Sequence, residues 1–357
     1  MPPHAPHSAL LADQHGPPLY GALDLGTNNC RLLVAAPTPH GFRVLDSFSR
    51  IVRLGEGLAT TGALSPEAMD RAVAALSVCA DKLERRPVRR LRAVATEACR
   101  RAVNGPGFLA RVQEATGLTF EVIGPREEAE LAVESCAALI AGPEQRALLF
   151  DIGGGSTELA WLRMAGDGDL TLIGYASIPL GVVTLAERWG PAAFTAEGFQ
   201  AMSMEAMAAL LPFDAVHCIS AEAARGTVRL VGTSGTVTTL AGVSLGLERY
   251  SRAMIDGRVL AGEMADAALA SIRAMGREGL TQHPCIGPQR VEFVLPGCAV
   301  FAAIRRLWPV ASIVVADRGL REGILLRMMR ADRAETRRRP APPRVWGQRG
   351  YALRPNA

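Results

Sequence analysis

The sequence predicts an α/β protein made of two related domains with a cleft between them. Segments typical of strands alternate with segments typical of helices, and one strand–turn–strand pattern occurs twice. The 357 residues are also enough for two domains. We expect the domains at residues 19–142 and 143–317, with a C-terminal helix at 318–330 completing the first.

The repeated pattern comprises two strand pairs, each joined by a turn that contains glycine. In LYGALDLGTNNCRLLVAA (Leu19–Ala36) and RALLFDIGGGSTELAWL (Arg146–Leu162), an apolar strand ends in Asp, an apolar residue and Gly, and a polar turn leads into a second strand. Asp24 and Asp151 are equivalent and lie 127 residues apart. A repeat at this distance indicates duplicated domains rather than a solenoid of short units.

The segments that follow each strand pair have the same order in both halves. Alternating and helical spacings of apolar residues distinguish strands from helices along the chain. In the first half they predict strands at 32–34, 42–48, 91–96 and 119–124, and helices at 66–85, 108–115 and 126–140. In the second half they predict strands near 152, 162 and 178 and at 227–232 and 312–317, and helices at 180–189, 197–210, 291–307 and 320–329.

Composition argues against several classes of protein. Apolar residues make up 49% of the chain, but no apolar run approaches the ~18 residues of a membrane span. The seven cysteines are scattered and form no CxxC pair, so neither a disulfide framework nor a zinc site is indicated. Residues 1–18 lack the features of a signal peptide, and we expect them to be a disordered leader of a cytoplasmic protein.

Most of the excess positive charge lies at the C-terminal end. The net charge is +4, and residues 331–357 contain seven Arg against one Asp and one Glu. We expect this basic, Arg/Pro-rich tail to be disordered. The rest of the chain has no excess of positive charge, which argues against a nucleic-acid-binding domain. Because Lys82 is the only lysine, phosphate chemistry would depend on arginine, backbone N–H groups and metal.

The two glycine turns have the composition of a site for phosphate and metal together. Successive N–H groups of a glycine turn suit phosphate oxygens, but Asp24 and Asp151 would repel phosphate unless a cation lay between. Mg²⁺ is typically held by one or two carboxylates, with water and phosphate completing its shell. We therefore expect the two aspartates to hold Mg²⁺. The predicted phosphate-binding residues are Gly26, Thr27, Asn28 and Asn29 in the first turn, and Gly153, Gly154, Gly155 and Ser156 in the second.

A third loop, VGTSGTVTTLAG (Val231–Gly242), leads from a predicted strand into a helix. N–H and hydroxyl groups at a helix N-terminus form an anion site. The further predicted phosphate ligands are Gly232, Thr233, Ser234, Gly235 and Thr236. The chain contains neither the P-loop pattern GxxxxGK[ST] nor a GxGxxG in a βαβ setting.

Two other segments bring charged residues to the start of a helix. VATEACRRAVN (Val94–Asn104) places Arg100 and Asn104 four residues apart, on one helical face, and we include Asn104 among the candidate phosphate ligands. GPREEAELAVESC (Gly124–Cys136) opens a helix with several glutamates. Acids at a helix N-terminus are common for structural reasons alone, so the pattern leaves a catalytic role open.

Six motifs, in order along the chain, carry a resemblance to a known family. LDLGTNNCRLLV, ATEACRRAVN, EEAEL, DIGGGSTEL, VGTSGTVTTL and DRGLREGIL resemble the Ppx/GppA family of exopolyphosphatases and guanosine pentaphosphate phosphohydrolases, over about residues 19–330. The resemblance implies the duplicated, ribonuclease H-like fold of actin, sugar kinases and Hsp70. It also implies Mg²⁺-dependent removal of terminal phosphates, with Mn²⁺ and K⁺ as further ions to consider. The chain resembles the short, two-domain members, and we expect a homodimer.

The resemblance assigns roles to single residues. Glu128, which precedes the Ala of EEA, and Glu158, which ends GGGSTE, match the family's two catalytic glutamates. Arg100 matches a conserved arginine, which would contact phosphate oxygens through its forked guanidinium. Asp24 and Asp151 match the metal-associated acids.

The leading hypothesis is an exopolyphosphatase in which Glu128 or Glu158 deprotonates the attacking water. Hydrolysis of guanosine pentaphosphate (pppGpp) is the first alternative. The others are a sensor that binds polyphosphate or (p)ppGpp, an actin-like ATPase or sugar kinase, and transfer of phosphate to ADP instead of water.

Overall fold

The structure is a computed structural model that describes residues 17–165 and 169–338. The first five strands form one sheet and the next six form a second. The strands of the first sheet are β1 (Tyr20–Leu25), β2 (Asn29–Thr38), β3 (Gly41–Ile51), β4 (Arg90–Ala95) and β5 (Glu121–Val122). Those of the second are β6 (Arg146–Ile152), β7 (Thr157–Met164), β8 (Leu170–Ile178), β9 (Val228–Thr233), β10 (Val259–Ala261) and β11 (Ser312–Val315).

The two sheets share one topology. The first has the order β3-β2-β1-β4-β5, in which β1 is antiparallel to β2 and parallel to β4. The second has the order β10-β11-β9-β6-β7-β8, in which β6 is antiparallel to β7 and parallel to β9. The strand β6 therefore occupies the place of β1, and the chain has the duplicated actin-like α/β fold, with one copy in each half.

Helices follow the strands in both halves. Those of the first half are α1 (Leu58–Thr61), α2 (Pro66–Arg85), α3 (Glu97–Arg101), α4 (Gly105–Thr116) and α5 (Pro125–Ile140). Those of the second half are α6 (Val182–Trp189), α7 (Ala196–His217), α8 (Ile219–Ala224), α9 (Ser234–Ser244), α10 (Arg252–Ile255), α11 (Gly262–Ala274), α12 (Gly276–Gln282), α13 (Val291–Leu307) and α14 (Leu320–Arg338), with a 3₁₀ turn at Gly190–Phe194.

Local signals explain why α2 and α13 have the bounds that the sequence predicts. The helix α2 begins after Ser65, whose side chain accepts a hydrogen bond from the N–H of Ala68, and Pro66 takes the first helical position. The helix α13 is apolar on nearly every face because it is buried among the other elements of the second half. Pro296 is the sixth residue of α13, where its missing N–H removes one hydrogen bond of the helix.

The C-terminal helix α14 returns to the first sheet. Its apolar side chains pack with those of β1, β2 and α5, and the hydroxyl of Tyr20 donates to Asp332 at 2.7 Å. Asp332 and Glu335 also pair with Arg90 at 2.9 and 3.2 Å. These contacts carry the helix eight residues past the predicted end at 330, so residues 331–338 of the predicted tail are helical. The rest of that tail and residues 1–16 of the leader lie outside the described residues.

The remaining differences from the prediction concern short elements. The strand predicted at 119–124 is only β5, because it pairs with β4 at two positions. The helices α1, α8, α10, α11 and α12 and the strand β10 were not predicted. All of them except α11 have seven residues or fewer, too few to show a clear apolar period, and tertiary contacts stabilise such short segments.

Candidate active site

The turn between β1 and β2 is closed by a hydrogen bond from the N–H of Gly26 to the carbonyl of Asn29, at 2.9 Å. The strand register places Asp24 opposite Arg31. Asn28 lies at the tip of the turn, and its buried side-chain oxygen Oδ1 has no hydrogen-bond partner among the described residues. A buried acceptor without a partner is uncommon and is typical of a ligand site.

The turn between β6 and β7 has the same backbone arrangement. The N–H of Gly153 donates to the carbonyl of Ser156 at 2.9 Å, and the register places Asp151 opposite Glu158. The hydroxyls of Ser156 and Ser177 both donate to Oε1 of Glu158, that of Ser177 at 3.0 Å. These two hydrogen bonds fix the orientation of the Glu158 carboxylate and engage only one of its oxygens.

The two turns pack directly against each other. A Cβ atom on Gly154 would lie 3.1 Å from Cβ of Asn28, and one on Gly155 would lie 2.8 Å from Oγ1 of Thr27. Glycine is therefore required here for the close approach of the two halves of the molecule. The N–H groups of Gly154 and Gly155 donate to no acceptor within the described part of the chain, so they can bind an anion.

The third predicted loop forms the start of α9. Residues 233–236 line the same cavity as the two turns. Ser234 has a φ of 92°, a strained value for a residue with a side chain, and its buried hydroxyl has no partner among the described residues. Gly232 does not line the cavity, since a Cβ at this position would meet the ring of Phe150 at 2.4 Å. The structure therefore does not place Gly232 on the cavity wall, and the lack of a side chain there leaves room for that ring.

The cavity between the two halves has a volume of about 1000 Å³ and a wall rich in both kinds of charge. The carboxylates on its wall are Asp24, Glu97, Glu128, Asp151, Glu158, Asp317 and Glu322. The arginines are Arg31, Arg50, Arg53, Arg252, Arg290, Arg318 and Arg321. All the predicted site residues line this cavity except Arg100, Asn104 and Gly232.

Burial perturbs the two aspartates at the centre of the site. Burial raises the pKa of Asp24, and the Arg31 and Arg321 cations oppose this. Burial also raises the pKa of Asp151, to about 6, with Arg31 opposing and Asp24 adding to the rise. Neither carboxylate forms a hydrogen bond or ion pair with another described side chain. Paired acids in this state favour the binding of a cation.

The two glutamates are perturbed in the same direction. Burial, followed by the nearby Asp151 charge, raises the pKa of Glu158 to about 7. Burial and the charge of Glu158 raise the pKa of Glu128 well above its usual range, while Arg100 acts to lower it. The charge of Glu158 thus disfavours ionisation of Glu128, which keeps a proton more readily than an isolated glutamate would. Carboxylates poised near neutral pH are suited to general base catalysis.

Arg100 lies behind these carboxylates rather than on the cavity wall. Its Nη2 donates to Oε2 of Glu97 at 2.6 Å, and its Nη1 donates to Oε2 of Glu128 at 3.3 Å and to the carbonyl of Ile123 at 2.8 Å. The structure thus brings Arg100 to a predicted catalytic residue but does not place it where a phosphate oxygen would lie.

Asn104 is also displaced from its predicted position. The helix α3 ends at Arg101, so Arg100 and Asn104 do not share a helical face. The side chain of Asn104 instead accepts from the N–H of Leu64 at 2.8 Å and donates to its carbonyl at 2.9 Å. Asn104 therefore joins two loops of the first half of the chain and does not line the cavity.

The sequence prediction missed the cavity arginines. Arg290 donates to the carbonyl of Gly235 and to Oγ1 of Thr239, and burial, together with the nearby Arg31 cation, lowers its pKa. Neither Arg31 nor Arg290 forms an ion pair with a described carboxylate. Arg31 could have been found, since it is a charged residue opposite Asp24 in an otherwise apolar strand. Arg290 carries no such signal, because its place in the cavity depends on the tertiary fold.

The family model for the Ppx/GppA phosphatase family matches residues 33–332. The crystal structure of the Aquifex aeolicus member of that family is 25% identical, with a TM-score of 0.70, and the match covers 88% of this chain and 98% of that one.

Two further crystal structures cover the chain to a similar extent. An exopolyphosphatase-like protein is 26% identical over 87% of this chain and 97% of that one, with a TM-score of 0.76. An exopolyphosphatase from Cytophaga hutchinsonii is 23% identical over 88% of this chain and 98% of that one, with a TM-score of 0.78, which shows the fold alone. No helix within the described ranges has the length and apolar character that a membrane span needs.

Proposed function

The chain belongs to the Ppx/GppA phosphatase family, and from this premise we propose that it is an exopolyphosphatase. In this proposal it hydrolyses the terminal phosphoanhydride of linear polyphosphate and releases orthophosphate. The observation that carries the proposal is the charge of the cavity, in which Arg31 and Arg290 lack a carboxylate partner close to the acids and glycine turns of the site. Unpaired arginines beside a catalytic centre are suited to a long, highly charged phosphate chain.

We propose Mg²⁺ as the metal of this site. Asp24, Asp151 and the unpartnered Oδ1 of Asn28 are hard oxygen donors on one cavity wall, and they fit such an ion. Within the described ranges, no group of three or more His, Cys, Asp or Glu side chains is arranged to hold a metal ion. The remaining ligands would be phosphate oxygens and water. The ion would supply neutralisation of the phosphate charge.

The mechanism then depends on positions that the chain itself provides. The N–H groups of Gly154 and Gly155 and the hydroxyl of Ser234 would bind oxygens of the terminal phosphoryl group. One of the two glutamates, Glu128 or Glu158, would take a proton from the attacking water molecule. The oxygen of that water would at the same time form a bond to phosphorus. The bond from phosphorus to the bridging oxygen breaks, and the shortened chain leaves with the electron pair. Phosphoryl transfer depends mostly on such positioning and on charge stabilisation.

One observation favours pppGpp as a second candidate substrate. The side chains of Tyr250 and Phe293 line the cavity together with Arg290. An aromatic ring beside an arginine could stack on a guanine base while the 5′ phosphates reach the acids. The same opening would also admit ADP as a phosphate acceptor.

The test is phosphate release with Mg²⁺ present, measured side by side on short polyphosphate, long polyphosphate, pppGpp and ATP. We expect fast release from polyphosphate and little from ATP. A preference for pppGpp would replace the proposed substrate, and fast ATP hydrolysis would support an ATPase. Tight binding of polyphosphate without release from any substrate would show that the protein is a sensor, and formation of ATP from ADP would show transfer instead of hydrolysis.

A further inference from the structure

Glu97 is a carboxylate of the cavity wall to which the mechanism above gives no role. It is the first residue of α3, directly after β4, and it is 8% exposed. Its charge adds to that of the predicted acids and contributes to the raised pKa of Glu158. A further buried acid in such a place costs free energy unless a cation compensates it.

The compensating cation is Arg100, which Glu97 shares with Glu128. Glu97 accepts from Nη2 at 2.6 Å, while Nη1 donates to Glu128 at 3.3 Å and to the carbonyl of Ile123 at 2.8 Å. A second arginine, Arg101, approaches Glu97 at 3.5 Å but has a side chain 42% exposed. The planar guanidinium therefore joins two carboxylates of the cavity wall in one fixed geometry.

A guanidinium and a carboxylate prefer to pair through two parallel hydrogen bonds. If Arg100 paired with Glu128 in this way, it would hold both oxygens of Glu128 and stabilise the ionised carboxylate, which would make Glu128 a weaker base. In the structure Glu97 occupies Nη2, so Arg100 makes a single contact with Glu128, to Oε2. Oε1 of Glu128, a residue on the cavity wall, is left available to the cavity.

We propose that Glu97 is a positioning residue of the active site, which engages Arg100 so that Glu128 keeps one carboxylate oxygen for the reaction. The inference rests on the proposed function, since it concerns the same hydrolysis. It makes Glu97 and Arg100 a unit that acts on Glu128 without either residue touching the substrate.

The first test is Glu97→Gln, which keeps the size of the side chain and removes its charge. We expect kcat to fall by about 10- to 100-fold, because a displaced catalytic group has costs of this order. KM should stay within about twofold, because ground-state binding is not changed. Arg101→Gln is the matched control: it removes the more exposed partner of Glu97 and should leave both constants unchanged. Unchanged kcat in Glu97→Gln would overturn the proposal.

The second test is a double-mutant cycle with Glu128→Gln. If Glu97 acts only through Glu128, the double variant should turn over at the rate of Glu128→Gln alone, because residues that act as a unit are not additive. Losses that multiply would overturn the proposal and assign Glu97 an independent role. Thermal unfolding checks that each variant folds. If Glu97→Gln does not fold, Glu97→Asp replaces it in the cycle, because the shorter carboxylate cannot engage Arg100 in the same geometry.

The same measurements separate the two proposals. Wild-type protein that releases phosphate from neither polyphosphate nor pppGpp overturns the proposed function, and the role of Glu97 with it. Active wild type with an equally active Glu97→Gln variant overturns only the role of Glu97.

Discussion

The hairpins β1–β2 and β6–β7 meet in the cleft with the same backbone and with different chemistry. Each turn is closed by one hydrogen bond of 2.9 Å between equivalent residues. Opposite the equivalent aspartates, however, the first hairpin carries Arg31 and the second carries Glu158. One copy thus supplies a cation that lowers the pKa of both aspartates, whereas the other supplies an acid whose own pKa is raised to about 7.

The difference shows how a duplicated fold can acquire a catalytic centre. Two identical hairpins would bring either two arginines or two further acids together across the cleft. With one of each, the first hairpin is suited to bind and compensate charge, and the second is suited to accept a proton. The predictions below test this division of labour.

The largest expected effect comes from removing the acid of the second hairpin. Glu158→Gln should lower kcat by about 10²–10⁴, as expected for loss of a general base. Glu128→Gln should have an effect of similar size if Glu128 is the base, because both glutamates line the same cavity. Phosphate release under saturating substrate measures both. Near-normal turnover in both variants would exclude either glutamate as the base.

A smaller effect is expected from separating the two hairpins. In Gly155→Ala the new methyl group would press on Thr27, and the shift of the turns should lower kcat by up to about 10²-fold. Gly26→Ala is the matched change in the first hairpin, where the nearest atom to the new Cβ would lie 3.7 Å away. It should be the milder of the two in a steady-state assay, and the reverse order would show that close packing of the turns is not what requires glycine.

Removing the cation of the first hairpin should change the pH dependence. Arg31 lowers the pKa of Asp24 and Asp151, so Arg31→Gln should raise both and move the acid limb of kcat/KM upward by about one pH unit. At pH 6, where the pKa of Asp151 lies, the loss would then be about fivefold. A profile of kcat/KM from pH 5 to 8 measures the shift. Arg50→Gln removes another cavity arginine and should leave the position of the limb unchanged.

The smallest expected effect is on stability. The folded pKa of Glu158, about 7, lies above its usual value of 4.5. Its contribution to stability is therefore fully present below about pH 4.5 and is lost as the pH rises through about 7. Glu158→Gln should raise the melting temperature at pH 7.5 by a few degrees and flatten its dependence on pH between 5 and 7. An equal or lower melting temperature at pH 7.5 would show that the buried charge carries no such cost.

Much of the architecture could be predicted from the sequence because it depends on local signals. The cap at Ser65 and the apolar spacing of α2 are contained in a single segment, and the Asp-Gly turns repeat visibly. The parallel strands β1 and β6 are buried and read as apolar runs. The short helices α10 and α12 lack such signals, since tertiary contacts decide their structure.

The residues of the site also differ in whether local structure or tertiary contacts decide their positions. The residues of the two glycine turns line one cavity, because a strand pair fixes the position of each turn. Arg100 and Asn104 were expected on one helical face, but α3 ends at Arg101 and Asn104 precedes the next helix. The residue pattern gives no sign of this helix end. Glu97 and Arg290 were missed because their contacts cross between elements, at separations that no spacing rule covers.

The return of α14 to the first sheet bears on how the protein is made. Tyr20 and Asp332, which bond to each other, are 312 residues apart. A ribosome delivers the chain from its N-terminus, at about 5–20 residues per second, so the first sheet emerges long before the helix that covers it. All strands of the second sheet are translated before α14, so at that stage the first sheet still lacks its covering helix. We therefore expect truncation before residue 320 to expose the apolar surface of β1 and α5 and to cause aggregation.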